Sequence, residues 1–198
     1  IFMLQLSYET LIESVQDSIA PYRLSLRQAM RDFTQGILEL YPDKLHYPDA
    51  NSTLRLSYGK VAGYKPRDGV SFRHITYLDG KMEKEDYEVD VFNVPSRIKE
   101  LWHNKDFGPY ADEKGVPICF ITDNDITNGN SGSPVLNAKG HLIGVAFDGN
   151  YEAMACDFIF EPHMQRTIVT DIRYVLFVID KFAGAKRLID EMKIINTN

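Results

Sequence analysis

Residues 125–134 read Asp125-Ile126-Thr127-Asn128-Gly129-Asn130-Ser131-Gly132-Ser133-Pro134, one serine set among glycines after a strand-like run and before another. Gly129, Gly132 and Pro134 predict a tight bend, poor in side chains, whose backbone N–H groups can face a ligand. A serine nucleophile requires such a bend. Its Oγ has to project, and the N–H groups of Gly129 and Ser131 have to converge where a developing oxyanion can be held. The competing reading is an ordinary turn, because Gly, Asn and Ser dominate turns for conformational reasons alone.

A serine hydroxyl is a poor nucleophile until a base takes its proton, usually a histidine oriented by a carboxylate. The Gly-x-Ser-Gly-x-Pro layout resembles that of chymotrypsin-like serine peptidases, in which base and carboxylate come from a first barrel and the serine from a second. The chain offers His46, His74, His103, His141 and His163. His74 alternates with Phe72 in a strand-like run and reads as a surface or packed residue. His103 closes a helical pattern, and His141 opens a hairpin. None stands in a strand-end turn of the expected kind, so the base and carboxylate are expected to lie outside these 198 residues.

Downstream, Ala146-Phe147-Asp148-Gly149-Asn150 follows the hairpin. In this architecture the strand after the serine hairpin walls the substrate pocket and pairs with the substrate main chain. A carboxylate at Asp148 is then placed to receive a cation such as a free α-amino group; the alternative is an Asp-Gly turn at a strand end.

The elements that must position these residues fall into two groups. Residues 4–19 and 25–40 carry apolar side chains at helical spacing, separated by Pro21, which predicts two antiparallel helices from an incomplete bundle. The polar stretch 41–50 marks a boundary, giving one unit over 1–48 and another over 49–198. In the second unit Leu54, Leu56 and Tyr58 alternate with polar residues, and residues 70–77 alternate again before a turn at Asp79-Gly80. A helix is predicted over 95–103, a strand over 116–122, a hairpin from 134–136 to 141–147, and short strands over 157–160 and 167–169. Thr170 reads as the N-cap of a helix over 171–182, with Gly184 past its end and a short helix through Met192. The expected fold is mainly β with helices: a six-stranded antiparallel barrel, preceded by helix and closed by C-terminal helices.

A net charge of −6 and no basic patch argue against nucleic acid as the main partner. The longest apolar run, 174–179, is far too short to span a membrane. Cys119 and Cys156 lie 37 residues apart with no Cys-x-x-Cys, which fits no zinc spacing, so no metal or cofactor is expected and buried free thiols are the default. A chain opening Ile1-Phe2-Met3 is expected to be part of something longer.

Residues 125–135, Leu142-Ile143-Gly144-Val145-Ala146-Phe147-Asp148-Gly149-Asn150, Phe160-Glu161-Pro162, Gln165-Arg166-Thr167-Ile168 and Asp171-Ile172-Arg173-Tyr174-Val175-Leu176 together resemble the C-terminal part of bacterial dipeptidyl-peptidases of the type 7 and type 11 family. Residues 54–61 and 77–80 are similar too, so the resemblance runs from about Asp49 to the end. It implies a periplasmic or surface serine exopeptidase that releases dipeptides from free N-termini, a homodimer whose helical domain is inserted between two chymotrypsin-like barrels. Residues 1–48 then belong to the helical insert and 49–198 to the second barrel, whose partner is the N-terminal barrel of the same protein. Ser131 matches the nucleophile, Gly129 an oxyanion-hole donor and Asp148 the α-ammonium ligand. The position resembling Gly149 carries arginine in acidic-specific members, so glycine here implies apolar or aromatic side chains before the scissile bond. The family's histidine and aspartate fall outside the chain, which is expected to be inactive alone and to expose an apolar patch near Ser131. The Gly-Asn-Ser-Gly-Ser-Pro motif also resembles glutamyl endopeptidases, for which Arg166 and His163 would be the acid-binding candidates, and a non-catalytic interaction module is the third reading.

Overall fold

The computed structural model describes residues 2–44, 46, 52–156 and 160–195. The chain divides into two compact units, Ile1–Pro48 and Asp49–Asn198.

The first unit is one helix, α1 (Phe2–Leu40), with Pro21 inside it. The expected break into two helices does not occur. Pro21 removes one N–H donor from the ladder, but Val15, Ile19, Tyr22, Leu26, Met30 and Phe33 stay in phase across it. One lost hydrogen bond is not enough to end a helix whose apolar stripe continues in register. That stripe is solvent-exposed in this chain.

In the second unit β1 (Tyr64–Arg67) and β2 (Val70–Phe72) form an antiparallel ribbon. The main sheet comprises β3 (Ile75–Tyr77), β4 (Pro117–Thr122), β5 (Pro134–Leu136), β6 (Leu142–Gly149) and β7 (Thr167–Asp171), in the order β3-β4-β7-β6-β5, with every pairing antiparallel. The helices are α2 (Leu78–Glu83), α3 (Ser96–His103), α4 (Ile172–Phe177), which runs on as a π-helical turn to Phe182, and α5 (Lys186–Asp190).

Several expectations are corrected. Five strands form an open sheet among the described residues, not a closed six-stranded barrel. The alternating stretch 54–58 forms no ladder; its polar side chains do the anchoring, Ser57 Oγ donating to Asp125 O at 2.6 Å and Arg55 Nη2 to Thr127 Oγ1 at 3.3 Å. Leu54, Leu56 and Tyr58 therefore face outward, at 102%, 88% and 87% exposure. The alternation was real, but the apolar side has no cover in this chain. Residues 70–77 split into β2 and β3 at Arg73-His74, and Asp79-Gly80 lies within α2. Thr170 pairs in the sheet with Cys119 and Val145, so the cap of α4 is Asp171, whose carboxylate accepts from Arg173 N at 2.9 Å. The expected strand over 157–160 falls largely on residues outside the described set.

The core lies where α2, α3 and α4 cover the start of β4: Leu78, Val94, Ile98, Leu101, Tyr110, Val116 and Phe177 are buried together. Asp171, itself buried, grips Arg173 through both carboxylate oxygens, Nε–Oδ1 at 3.0 Å and Nη2–Oδ2 at 2.8 Å, fixing the turn from β7 into α4. Cys119 is a free thiol that is half-buried rather than fully buried as expected, and burial raises its pKa.

Phe177 is completely buried, and Phe177→Ala should cost about 3–5 kcal/mol in urea unfolding. Tyr110 OH donates to Asp180 Oδ2 at 3.0 Å, and burial, with that carboxylate, pushes its pKa up to about 12. Since the folded-state value lies above the ordinary value of 10.0, this contribution is intact below pH about 10 and is lost as pH rises through about 12. A phenolate absorbance titration should find one tyrosine ionising together with alkaline unfolding, and Tyr110→Phe should remove that step.

Candidate active site

The loop after β4 closes on itself through Asn130. Its Oδ1 accepts from Thr127 N at 3.0 Å, its N–H donates to Thr127 O at 3.2 Å, and its carbonyl accepts from Ser133 N at 2.9 Å. Gly129 and Gly132 have φ of +96° and +86°, a region that side chains disfavour. The loop is then stitched to β6 by Gly132 N to Ala146 O at 2.8 Å and Ala146 N to Ser133 O at 2.9 Å. The N–H groups of Gly129 and Ser131 donate to no acceptor among the described residues. At the apex an exposed Ser131 therefore carries an unspent N–H donor of its own, with a second two residues earlier at Gly129.

Ser131 Oγ donates to Phe147 O at 3.3 Å. That carbonyl is available because the β6–β7 register slips by one residue between Ala146 and Asp148, leaving Phe147 as the extra residue of a bulge. No histidine nitrogen hydrogen-bonds Ser131 among the described residues. His74 is exposed at the bend between β2 and β3, His103 ends α3, His141 lies at the turn of the β5–β6 hairpin away from Ser131, and His163 is exposed in the turn before Gln165. His46 lies in the first unit, with Nε2 3.1 Å from Tyr41 O.

Beyond the bulge, Asp148 is exposed, and its Oδ1 accepts from Gly149 N at 2.8 Å, leaving Oδ2 without a hydrogen bond among the described residues. The bulge thus brings Asp148 and Gly149 onto the same strand end as the carbonyl that faces Ser131. Phe147 is also exposed, so an apolar side chain flanks the serine loop.

Next to this strand end lies a small cleft, of volume about 10 Å³, bounded by Asp125, Ile126, Ala153, Phe160, Arg166 and Thr167. Its base is organised by Arg166, which is 7% exposed. Nε donates to Ala62 O at 3.3 Å, Nη1 to Pro162 O at 2.8 Å and Gln165 O at 2.6 Å, and Nη2 to Gly63 O at 3.1 Å and His163 O at 3.4 Å. A guanidinium has five N–H donors, and each is committed to a main-chain carbonyl. The cation also lies over the Tyr64 ring, 5.4 Å from its centroid.

Asn150 ties the same walls together. Its N–H donates to Arg166 O at 2.9 Å, its Oδ1 accepts from Arg166 N at 2.8 Å, and its Nδ2 donates to Met164 O and Glu152 Oε2, both at 2.8 Å. Tyr64 OH donates to the same Glu152 oxygen at 2.8 Å, and burial raises the Tyr64 pKa. Sequence reading saw Arg166 only as a candidate acid-binding residue and missed Asn150, Glu152 and Tyr64. Tyr64 and Glu152 are 88 residues apart, and Asn150 meets Met164 and Arg166 across 14 and 16 residues, so no local pattern marks the cluster. No group of three or more His, Cys, Asp or Glu side chains among the described residues could hold a metal ion.

The family model described as Peptidase S46 matches residues 3–194. The chain is 48% identical over 186 residues to dipeptidyl-peptidase 7 of Phocaeicola vulgatus, covering 93% of this chain and 26% of that protein. It is 45% identical over 195 residues to the Asp/Glu-specific dipeptidyl-peptidase of Flavobacterium psychrophilum, covering 95% of this chain and 27% of the relative. Among solved structures, Porphyromonas endodontalis DPP11 in complex with the dipeptide Arg-Glu superposes with a TM-score of 0.78 at 42% identity, covering 90% of this chain and 26% of that one. The chain thus spans about a quarter of the length of the relatives it matches.

Arg166→Lys replaces five fixed donors by three mobile ones, leaving at least two carbonyls unpaired. It should cost about 2–4 kcal/mol in denaturant unfolding. Retention of stability within about 0.5 kcal/mol would mean that water replaces the guanidinium at little cost.

Proposed function

The chain belongs to the peptidase S46 family, and from that premise we propose that it is the serine-bearing part of a dipeptidyl aminopeptidase. Ser131 is the nucleophile in this reading. Its Oγ attacks the carbonyl carbon of the second substrate residue while a histidine from elsewhere in the whole protein takes its proton. The oxyanion that forms is held by the N–H groups of Gly129 and Ser131. The histidine returns the proton to the leaving amine, and water then hydrolyses the acyl-serine. Asp148 binds the substrate α-ammonium through its free oxygen, which limits cleavage to dipeptides. The single observation that carries the reading is the pair of unspent N–H groups at Gly129 and Ser131 beside an exposed Ser131 hydroxyl.

Relatives named dipeptidyl-peptidase 7 and relatives named Asp/Glu-specific dipeptidyl-peptidase match at similar identity, so identity does not choose the specificity. Gly149 favours an apolar or aromatic side chain before the scissile bond, since it offers no charge to an acid. The glutamyl-endopeptidase alternative loses its best candidate, because all five donors of Arg166 are committed to carbonyls. We read residues 49–198 as the second half of a two-barrel chymotrypsin-like domain and 1–48 as the end of a helical insert, in a homodimeric periplasmic or surface protein. The exposed faces of α1, Leu54, Leu56, Tyr58 and Phe147 support this, being surfaces that the rest of the protein would cover.

In the whole protein, Ser131→Ala should abolish dipeptide release and fluorophosphonate labelling. The 198-residue chain alone should hydrolyse at background, since loss of the base alone costs orders of magnitude. Robust dipeptide release by the isolated chain would overturn the missing-base reading. Asp148→Ala should raise KM about tenfold or more for free-amine substrates, and equal cleavage of N-acetylated peptides by the wild type would remove the role of Asp148.

A further inference from the structure

Gly149 differs from the serine-loop glycines in that its backbone is not in the left-handed region. What restricts it is space. A Cβ placed at residue 149 would lie 3.0 Å from Ala153 Cβ, well inside the roughly 3.5–4.0 Å at which two carbons sit comfortably. Ala153 cannot recede freely. Its N–H donates to Asn150 O at 2.9 Å, and the preceding Glu152 is held by both Tyr64 and Asn150. Asn150 in turn is locked to Arg166 at both ends. Ala153 is 9% exposed and bounds the small cleft beside this strand end.

We propose that Ala153 is a second specificity-determining residue, coupled to Gly149: its methyl both excludes a side chain at 149 and sets the depth available to the substrate side chain before the scissile bond. This rests on the dipeptidyl-peptidase reading and adds a residue to it. An arginine at 149 then cannot confer acidic specificity while alanine stands at 153. The change to acid recognition requires both positions.

The test uses the whole protein and dipeptidyl substrates with Phe, Leu, Ala or Asp before the scissile bond. Gly149→Arg alone should lower kcat/KM on Phe and Leu by about tenfold or more with no gain on Asp. Gly149→Arg with Ala153→Gly should raise the Asp-to-Leu ratio by about 100-fold. Ala153→Leu should cut Phe and Leu cleavage about 100-fold while leaving Ala cleavage within about threefold. A folding readout runs beside these: Gly149→Ala should lower the melting midpoint by about 2 °C or more in the wild-type background and not in the Ala153→Gly background. Equal melting shifts in the two backgrounds, or full acid specificity from Gly149→Arg alone, would overturn the coupling. A wild type that releases no dipeptides, or that prefers Asp, would instead overturn the function on which the coupling rests, and the selectivity half of the proposal with it.

Discussion

Arg166 is a buried cation with no carboxylate at ion-pair distance among the described residues, and its charge is met entirely by main-chain oxygen. Five carbonyl dipoles and one aromatic face replace the water it gave up. Such an arrangement holds only if the segments around Ala62-Gly63 and around Pro162–Gln165 are both brought to the guanidinium. The fork geometry therefore dictates the backbone of two segments that are distant in the chain. Asn150 then fastens the end of β6 to that assembly, and Glu152 and Tyr64 fasten the turn beyond it.

The setting of Ser131 depends on the β6–β7 bulge. Without the extra residue at Phe147, the pairing that begins at Gly144–Asp171 would continue unshifted, and Asp148 and Gly149 would exchange faces of the sheet. The bulge lets one strand hold the serine loop at Ala146, accept the Ser131 hydroxyl at Phe147 and present Asp148 and Gly149 just beyond. With its proton directed to a carbonyl, Ser131 rests as a neutral hydroxyl. The loop leaves the N–H groups of Gly129 and Ser131 without acceptors among the described residues, and no histidine nitrogen among them hydrogen-bonds the hydroxyl.

The serine loop was legible in the sequence because its requirements are local: positive φ demands glycine at 129 and 132, and a short polar side chain at 130 closes the turn. The helix over 95–103, the strand into the loop and the hairpin after it were legible for the same reason, since period and turn chemistry are properties of neighbours. Pro21 misled because breaking a helix depends on what its apolar stripe does on either side. Leu54 to Tyr58 misled because alternation says only that a segment has two faces, not that another strand pairs with it. The bulge, the five carbonyls around Arg166 and the contact between Ala153 and position 149 were decided by tertiary structure alone. Each is a distance set by how the folded backbone runs, or a one-residue slip between strands, and neither is encoded in the identity of any single residue.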